Sequence, residues 1–522
     1  MKLPLKPAVL CLVFLTGILQ PVLSVEHSAL WGKEGELWSI NSRLPDVSYA
    51  GYHSGEATIP TIEVVANVKD FGAVGDGEHD DAAAFQKAID SVKSGAILVP
   101  NGRYAIKNII EINKPDVVLR GESRDGAVLY CPVYLNTIRP NWGATTSGQR
   151  TSNYSWSGGF IVLKGNYQSK QLAEIIQPAQ RYDQWIVVSD ASDLKVNQWI
   201  EIRQQDTKHD TLAKHLYTND PGQTDKLLGR TRASLTTRIK SINGNKIELE
   251  RPLRFDISAE WKPAVLQFNP SVTESGVENF TFEYPVSPYK GHFTELGYNA
   301  IALQDVVNCW VNNIRILHAD SGIFISSRYC TIQNILYESN RPADSRGDTG
   351  HHGIYISDDD NLFTQFEFNT SFIHDLTVSH CAGNVISNGK GNDLSFDHHK
   401  RVPYANVYTN IDAGLGSQVW RCGGGAALGK HCAAFGTFWN IRAEKPIQYP
   451  NKNFGPPTMN LVFIQSNQKP VTDKGGAWFE TASSDAVHPP NIHEAQLKRR
   501  LTLKKQLSIQ DIQSSQESGR SN

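Results

Sequence analysis

Between Val277 and Ile441 the chain echoes itself. Val277-Glu278-Asn279-Phe280-Thr281-Phe282 is followed by Val311-Asn312-Asn313-Ile314-Arg315-Ile316, then Ile332-Gln333-Asn334-Ile335-Leu336-Tyr337. Ile373-His374-Asp375-Leu376-Thr377-Val378 and Phe438-Trp439-Asn440-Ile441-Arg442 read as further copies. One step, Val311 to Ile332, is 21 residues, and the longer steps read as rungs with inserted loops. Apolar residues alternate as in strands, and an Asn or Asp sits at each bend. No single copy can bury its apolar face alone, so the copies must stack. The pattern predicts an all-β chain wound as a single-stranded parallel β-helix. A sandwich is the weaker fit, because its strands carry no recurring internal Asn.

A second register lies in the same region. Gly322-Ile323-Phe324-Ile325-Ser326, Gly353-Ile354-Tyr355-Ile356-Ser357 and Gly383-Asn384-Val385-Ile386-Ser387-Asn388 read as equivalent strands. Side chains alternate with period two. If Ile323, Ile354 and Val385 face inward, then Phe324, Tyr355 and Ile386 face out. Ser326, Ser357 and Asn388, then Arg328, Asp359 and Lys390, follow as exposed files on rungs roughly 4.8 Å apart. A polar strip of mixed charge is expected along one outer face.

The segment from Asn67 to Ile89 reads as a short strand, a glycine-rich turn and a helix. Phe71-Gly72 and Asp76-Gly77 supply turn geometry. Asp80 or Asp81 can cap a helix opening at Ala82, and Phe85, Ala88 and Ile89 give it an apolar face. This arrangement resembles the opening module of the pectate-lyase-like superfamily. The resemblance implies a right-handed parallel β-helix with an N-terminal capping helix and long loops that form a groove. It also implies an affinity for polysaccharide. Asp70, Asp76, Asp80 and Asp81 are structural in this reading.

Four segments are expected: a leader at 1–24, an arm at 25–60, the β-helix at 61–490, and a basic helix with a disordered tail at 491–522. Lys2 and Lys6 precede an apolar run from Ala8 to Leu19 and a cleavage pattern at Val22-Leu23-Ser24. The mature chain would begin near Val25 and be secreted or periplasmic. The apolar run is too short to span a membrane. Trp31, Trp38 and Tyr49 are expected to pack the arm on the body. Residues 136–230 read as long polar loops, with strands at Trp185-Ile186-Val187-Val188 and Trp199-Ile200-Glu201-Ile202. Among six Cys after the leader, Cys422 and Cys432 are the expected disulfide pair, and Cys309 and Cys330 are expected to stack. A net charge of −2 argues against a nucleic-acid partner. A monomer acting on an anionic polysaccharide fits.

Two clusters hold much of the chain's histidine. One is His351-His352-Gly353-Ile354-Tyr355-Ile356-Ser357-Asp358-Asp359-Asp360, and the other runs from Asn388 to Arg401. Three chemistries compete for them. Elimination from a uronate needs a cation at the carboxylate, a base and an acid. Lys390, Arg401 or Arg421 fit the first need; His398, His399 or Lys390 the second; Tyr404 or another His the third. Hydrolysis needs two carboxylates, about 5–5.5 Å apart for retention or about 6.5–9.5 Å for inversion. Asp358, Asp359, Asp393 and Asp397 are candidates. The third chemistry is metal binding, with Asp358 and Asp360 as hard oxygen ligands for Ca²⁺ or the His pairs for a transition metal. His352, Asp359, Asn388, Trp420 and Arg421 are the expected substrate contacts. Adjacent strand residues face opposite ways, so one of His398 and His399 must be structural.

Polygalacturonase-type hydrolases on this fold carry a Gly-His-Gly and paired aspartates. Here Gly350-His351-His352-Gly353 precedes Asp358-Asp359, in reversed order and with an extra His. A glycan-binding β-helix without activity would show an aromatic groove poor in ionisable groups, which these clusters do not resemble. The expected function is a polysaccharide lyase acting on a uronate-containing polymer, with a hydrolase using paired aspartates or a non-catalytic glycan-binding β-helix as the alternatives.

Overall fold

The computed structural model describes residues 25–207, 209–483 and 486–518. The expected leader lies outside the described residues. The chain is all-β, and most of it winds between two parallel sheets, one of sixteen strands and one of seven. In the larger, Gly276–Glu283, Trp310–Leu317 and Thr331–Glu338 pair in the register the echoes predict, with Val277 opposite Val311 and Val311 opposite Ile332. Leu362–Phe368, Val385–Gly391, Val407–Asp412, Thr437–Arg442 and Asn460–Ile464 continue it.

The recurring Asn has a backbone reason. Asn279, Asn313, Asn334, Asn388, Asn410 and Asn440 all have φ between 53 and 64°. Asn tolerates this left-handed region better than other residues with a Cβ. The bend interrupts strict alternation, so Val277 and Phe280, three apart, are both fully buried. The side chains also bond between rungs: Asn313 Nδ2 donates to Asn279 Oδ1 at 2.9 Å, and Asn410 Nδ2 to Asn388 Oδ1 at 2.8 Å.

The smaller sheet carries Asn299–Val307, Ser321–Arg328, Gly350–Ile356, Phe372–Val378 and Phe396–His398 side by side. Ile323, Ile354, Leu376 and Phe396 stack inward from it and are fully buried. Two strands are thus exchanged relative to the sequence expectation. Phe372–Val378 belongs here, while Val385–Gly391 belongs to the larger sheet. The expected strip of Arg328, Asp359 and Lys390 does not form. Both sheets have the same apolar alternation, so the pattern alone cannot assign a strand to a face.

The helix Ala82–Ser91 buries Ala84, Phe85, Ala88 and Ile89 in the main core. Asp80 Oδ1 accepts from Ala82 N at 3.2 Å, while Asp81 accepts from Val74 N and Gly75 N and closes the glycine-rich turn. These carboxylates are structural, as expected.

Residues 171–267 hold more order than the expected loops. Six strands form an antiparallel sheet there, including the expected Trp185–Val187 and Trp199–Gln205. Ile186, Val188, Ile200, Ile202, Leu235 and Ile247 give it a core that also takes in Ala382, Val402 and Tyr404 from the β-helix. The helix Thr211–Leu216 packs in the same core.

Residues 25–60 lie against the β-helix. Trp31, Trp38 and Val47 share a cluster with Val385, Val407, Trp439 and Ile492. The C-terminal helix runs Ile492–Ser518, past Ser508 where a tail without structure is expected. Gln496 bonds to Val47 N and Pro45 O, and Arg500 pairs with Glu56, so this basic helix is held by the arm. The six described Cys are free thiols, and the expected Cys422–Cys432 bond is not formed. Cys422 Sγ accepts from His398 N at 3.3 Å instead. Among the described residues no helix is long and apolar enough to cross a membrane.

Candidate active site

The outer face of the seven-stranded sheet forms the floor of a cleft of about 590 Å³. His351, His352, Tyr355, His399 and Arg401 line it, with His292, Thr145, Thr146, Trp156 and Gly423 to Gly425 on facing loops. The rungs set the spacing. His352 stands opposite His374 on the next strand, and Thr377 opposite Asp397 on the one after.

A chain of hydrogen bonds crosses these rungs. Asp397, fully buried, accepts from His399 Nδ1 at 2.8 Å, from Thr377 Oγ1 at 3.2 Å and from Gly423 N at 2.7 Å. Thr377 Oγ1 in turn accepts from His352 Nδ1 at 3.2 Å. Burial opposes the charge of Asp397, but His374, His399 and the Gly423 amide outweigh it and hold the carboxyl well below its ordinary range. A Cβ at Gly423 would meet Cε1 of both His374 and His399 at 2.6 Å, so this close approach needs glycine.

Four neighbouring imidazoles are neutral at neutral pH. Burial takes His374 to about 3 and His292 to about 4, and it holds His351 and His352 well below the usual histidine range. Buried Glu295 lies 3.6 Å from His351 Nδ1, and burial raises it to about 7. Burial also raises Tyr355, so it is a phenol at neutral pH. Two triplets bring potential metal-ligand atoms within 4.8 Å of one another: His292, His351 and His374, and His374, Asp397 and His399.

Lys400, Arg401 and Val402 all have left-handed φ, of 62, 63 and 66°. Such a run in residues with a Cβ is strained, and it places Arg401 at the cleft rim. Beyond Arg401 lies a second depression of about 350 Å³, lined by Lys226, Arg230, Arg232 and His380, with no carboxylate among its described lining residues. The inserted subdomain supplies the cations Lys226, Arg230 and Arg232.

The structure brings Asp397, His399, Arg401 and His352 together as the sequence expects. It settles the His pair: His398 is buried among Tyr408, Phe438 and Phe454, and His399 faces the cleft. The other expected residues lie elsewhere. Lys390 is on the larger sheet, 61% exposed, beside Glu367 at 3.2 Å. Asn388 belongs to the Asn ladder. Tyr404 is buried against the inserted subdomain. Trp420 packs on Phe438 and Phe454, and its Nε1 donates to Gln448 O. Arg421 forms a two-point pair with Asp348 and reaches His292 and His374 only through its field.

The three consecutive aspartates are each taken up by protein partners, from the β-helix and from the inserted subdomain, and do not make a calcium loop. Asp358 accepts from Arg328 and Tyr167, Asp359 from Ala382 N and Ser234, and Asp360 from Arg251 and Arg254. Asp393 is tied to Ser417. Sequence reasoning missed His292, His374, Tyr355 and Glu295 as site residues. The one available signal was that His352 and His374 occupy equivalent places on consecutive strands.

Residues 65–148 match the family model described as rhamnogalacturonase A/epimerase, pectate lyase-like. The mannuronan C5-epimerase AlgE3 of Azotobacter vinelandii is 51% identical over 109 residues, 19% of this chain and 6% of that protein. The plasmin and fibronectin-binding protein A of Streptococcus pneumoniae is 32% identical over 115 residues, 20% of this chain and 16% of that protein. The chain therefore spans less than a fifth of these curated relatives. Among solved structures, the tailspike protein gp49 from Pseudomonas phage LKA1 aligns with a TM-score of 0.44 at 13% identity, over 73% of this chain and 64% of that one.

Proposed function

We propose that this chain, which belongs to the pectate-lyase-like superfamily of parallel β-helices, is an exported enzyme that cleaves a uronate-containing polysaccharide by β-elimination. One observation carries the reading. The cleft is lined by a His399 imidazole braced by Asp397 at 2.8 Å, and no carboxylate is among its described lining residues. A hydrolase needs two carboxylates flanking the bond. Asp359, the expected partner of Asp397, is engaged with Ser234 and Ala382 N instead.

The steps follow from the contacts. His399 Nδ1–H donates to Asp397, which leaves Nε2 to take the C5 proton of the sugar. The carboxylate of Asp397 stabilises the imidazolium that forms. Arg401 neutralises the uronate carboxylate and so acidifies C5–H. The C5–H electron pair forms the C4=C5 double bond, the C4–O bond breaks, and the leaving oxygen takes the Tyr355 phenol proton. The depression with Lys226, Arg230 and Arg232 suits further carboxylates of an anionic polymer. The name of the epimerase relative states chemistry at C5 of a mannuronan, which supports proton abstraction at that carbon. Right-handed winding, Ala82–Ser91 as end cap, and the loops around Thr145 and Lys226 as groove walls complete the reading.

The test is a panel of uronate polymers followed at the near-ultraviolet absorbance of the unsaturated product, with reducing ends measured in parallel. Absorbance that rises with chain cleavage is expected. Reducing ends without absorbance would replace the lyase by a hydrolase. Deuterium taken up at C5 from D₂O without cleavage would keep the base and remove the elimination.

A further inference from the structure

We propose that His292, His351 and His374 bind one divalent transition-metal cation, such as Zn²⁺, in the wall of this cleft. This goes beyond the elimination reading and does not depend on it. One ligand atom from each side chain lies within 4.8 Å of the others. The ring centroids are 4.4 Å apart for His292 and His351, 5.4 Å for His351 and His374, and 5.7 Å for His292 and His374. The three residues come from separate elements: the loop after Gly276–Glu283, and two neighbouring strands.

Buried polar atoms are nearly always paired, and exceptions call for a reason. Among the described residues, both ring nitrogens of His351 and both of His374 are buried without a hydrogen-bond partner. His351 and His374 are 1% and 3% exposed. Packing alone gives these buried nitrogens no partner, whereas a cation would take one nitrogen from each ring. The surroundings have the form of a metal site's outer layer. Glu295 Oε1 faces His351 Nδ1 at 3.6 Å, and Asp397 Oδ2 faces His374 Nδ1 at 3.3 Å. Carboxylates behind metal-binding imidazoles fix the tautomer and leave Nε2 for the ion.

The donor set selects the class of ion. Three imidazoles suit zinc, copper, nickel and cobalt, and are wrong for calcium or magnesium, which take oxygen. His292 lines the cleft, so a fourth position would open toward it, as in a zinc site that keeps a place for water or a substrate oxygen. The second triplet shares His374, but its Asp397 and His399 already bond to each other at 2.8 Å, which makes it the weaker claimant.

The experiment uses the untagged full chain, stripped with a chelator and dialysed. Zn²⁺ is titrated by calorimetry, and Co²⁺ by its visible absorption. One equivalent per chain is expected, with a zinc-dependent rise in Tm. His292→Ala, at the cleft surface, should keep the circular-dichroism melt of the stripped chain and weaken binding at least tenfold. His374→Gln should weaken it further, and His399→Gln should leave the stoichiometry at one. Wild-type protein that takes up no more Zn²⁺ than a H292A/H351Q double variant would overturn the proposal. So would binding lost in His399→Gln but kept in His292→Ala. One bound zinc in a chain silent on every uronate polymer would sustain this proposal and sink the elimination reading.

Discussion

His352 and Tyr355 are three residues apart on one strand, yet both line the same cleft, with ring centroids 5.2 Å apart. Strict alternation would put them on opposite faces. Gly353 resolves this. A Cβ there would meet Phe368 Cε1 at 2.3 Å, so the position points into the core beside inward Ile354. The irregularity turns His352 outward, where Thr377 links it to Asp397.

The Asp397–His399 pair should carry turnover. His399→Gln and Asp397→Asn are each expected to lower kcat by roughly 10²–10⁴-fold. The check is steady-state kinetics on the responsive polymer, with near-ultraviolet circular dichroism of each variant. Full activity in His399→Gln would remove the base assigned here.

Two tyrosines should separate cleanly. Tyr355→Phe is expected to lower kcat by about 10²-fold, because Tyr355 lines the cleft and is the acid assigned here. Tyr404→Phe should leave kcat unchanged, since its hydroxyl is buried without a partner against the inserted subdomain. Equal loss in both variants would mean that the phenol in the cleft has no special part.

Arg230 and Arg232 should hold the polymer without taking part in chemistry. The double alanine variant is expected to raise KM about tenfold with kcat near wild type, and to flatten the dependence of KM on salt. A fall in kcat at unchanged KM would argue against a binding role.

Asp360 should matter to stability and not to a cation. Its 1%-exposed side chain sits between Arg251 and Arg254, so Asp360→Ala leaves two buried guanidinium groups without their acid. A loss of about 3–5 kcal/mol is expected in denaturant unfolding. Added calcium should not change the wild-type Tm through this residue, and a calcium-dependent rise absent from the variant would restore the calcium reading.

His493 should make the fold acid-sensitive. Burial takes it to about 4, and its Nε2 has no partner. The native chain therefore stays neutral there while the unfolded chain takes up a proton near pH 6.5. Stability is unaffected above about pH 6.5 and falls as pH drops toward about 4, by an amount on the order of 3 kcal/mol. His493→Gln should remove that share, seen as a smaller difference between unfolding at pH 7.5 and pH 4.5. Identical pH slopes for the two proteins would refute the assignment.

The inward and outward alternation around Asp397 could be read directly. It required one of His398 and His399 to be structural, and the interior packing of His398 on Tyr408 meets that requirement. Lys390 shows where such reading stops. Its segment has the same period as the site strands, but neighbouring chain turns place it on the other sheet, beside Glu367.

The sequence by itself determined the winding of this protein. A stacked rung must bury its alternating apolar residues, its bend needs a residue that tolerates positive φ, and the glycine-rich turn needs Asp81. Each requirement is local and is written within a few residues. The tertiary structure alone decided the rest of the cleft around Asp397 and His399. His292, His351, His374 and His399 are far apart in the chain and meet because rungs stack only one strand spacing apart. It also decided what is not a site. Arg251 and Arg254 of the inserted subdomain reach across to Asp360, Arg328 of the smaller sheet takes Asp358, and nothing in the Asp358-Asp359-Asp360 run itself foretells those partners.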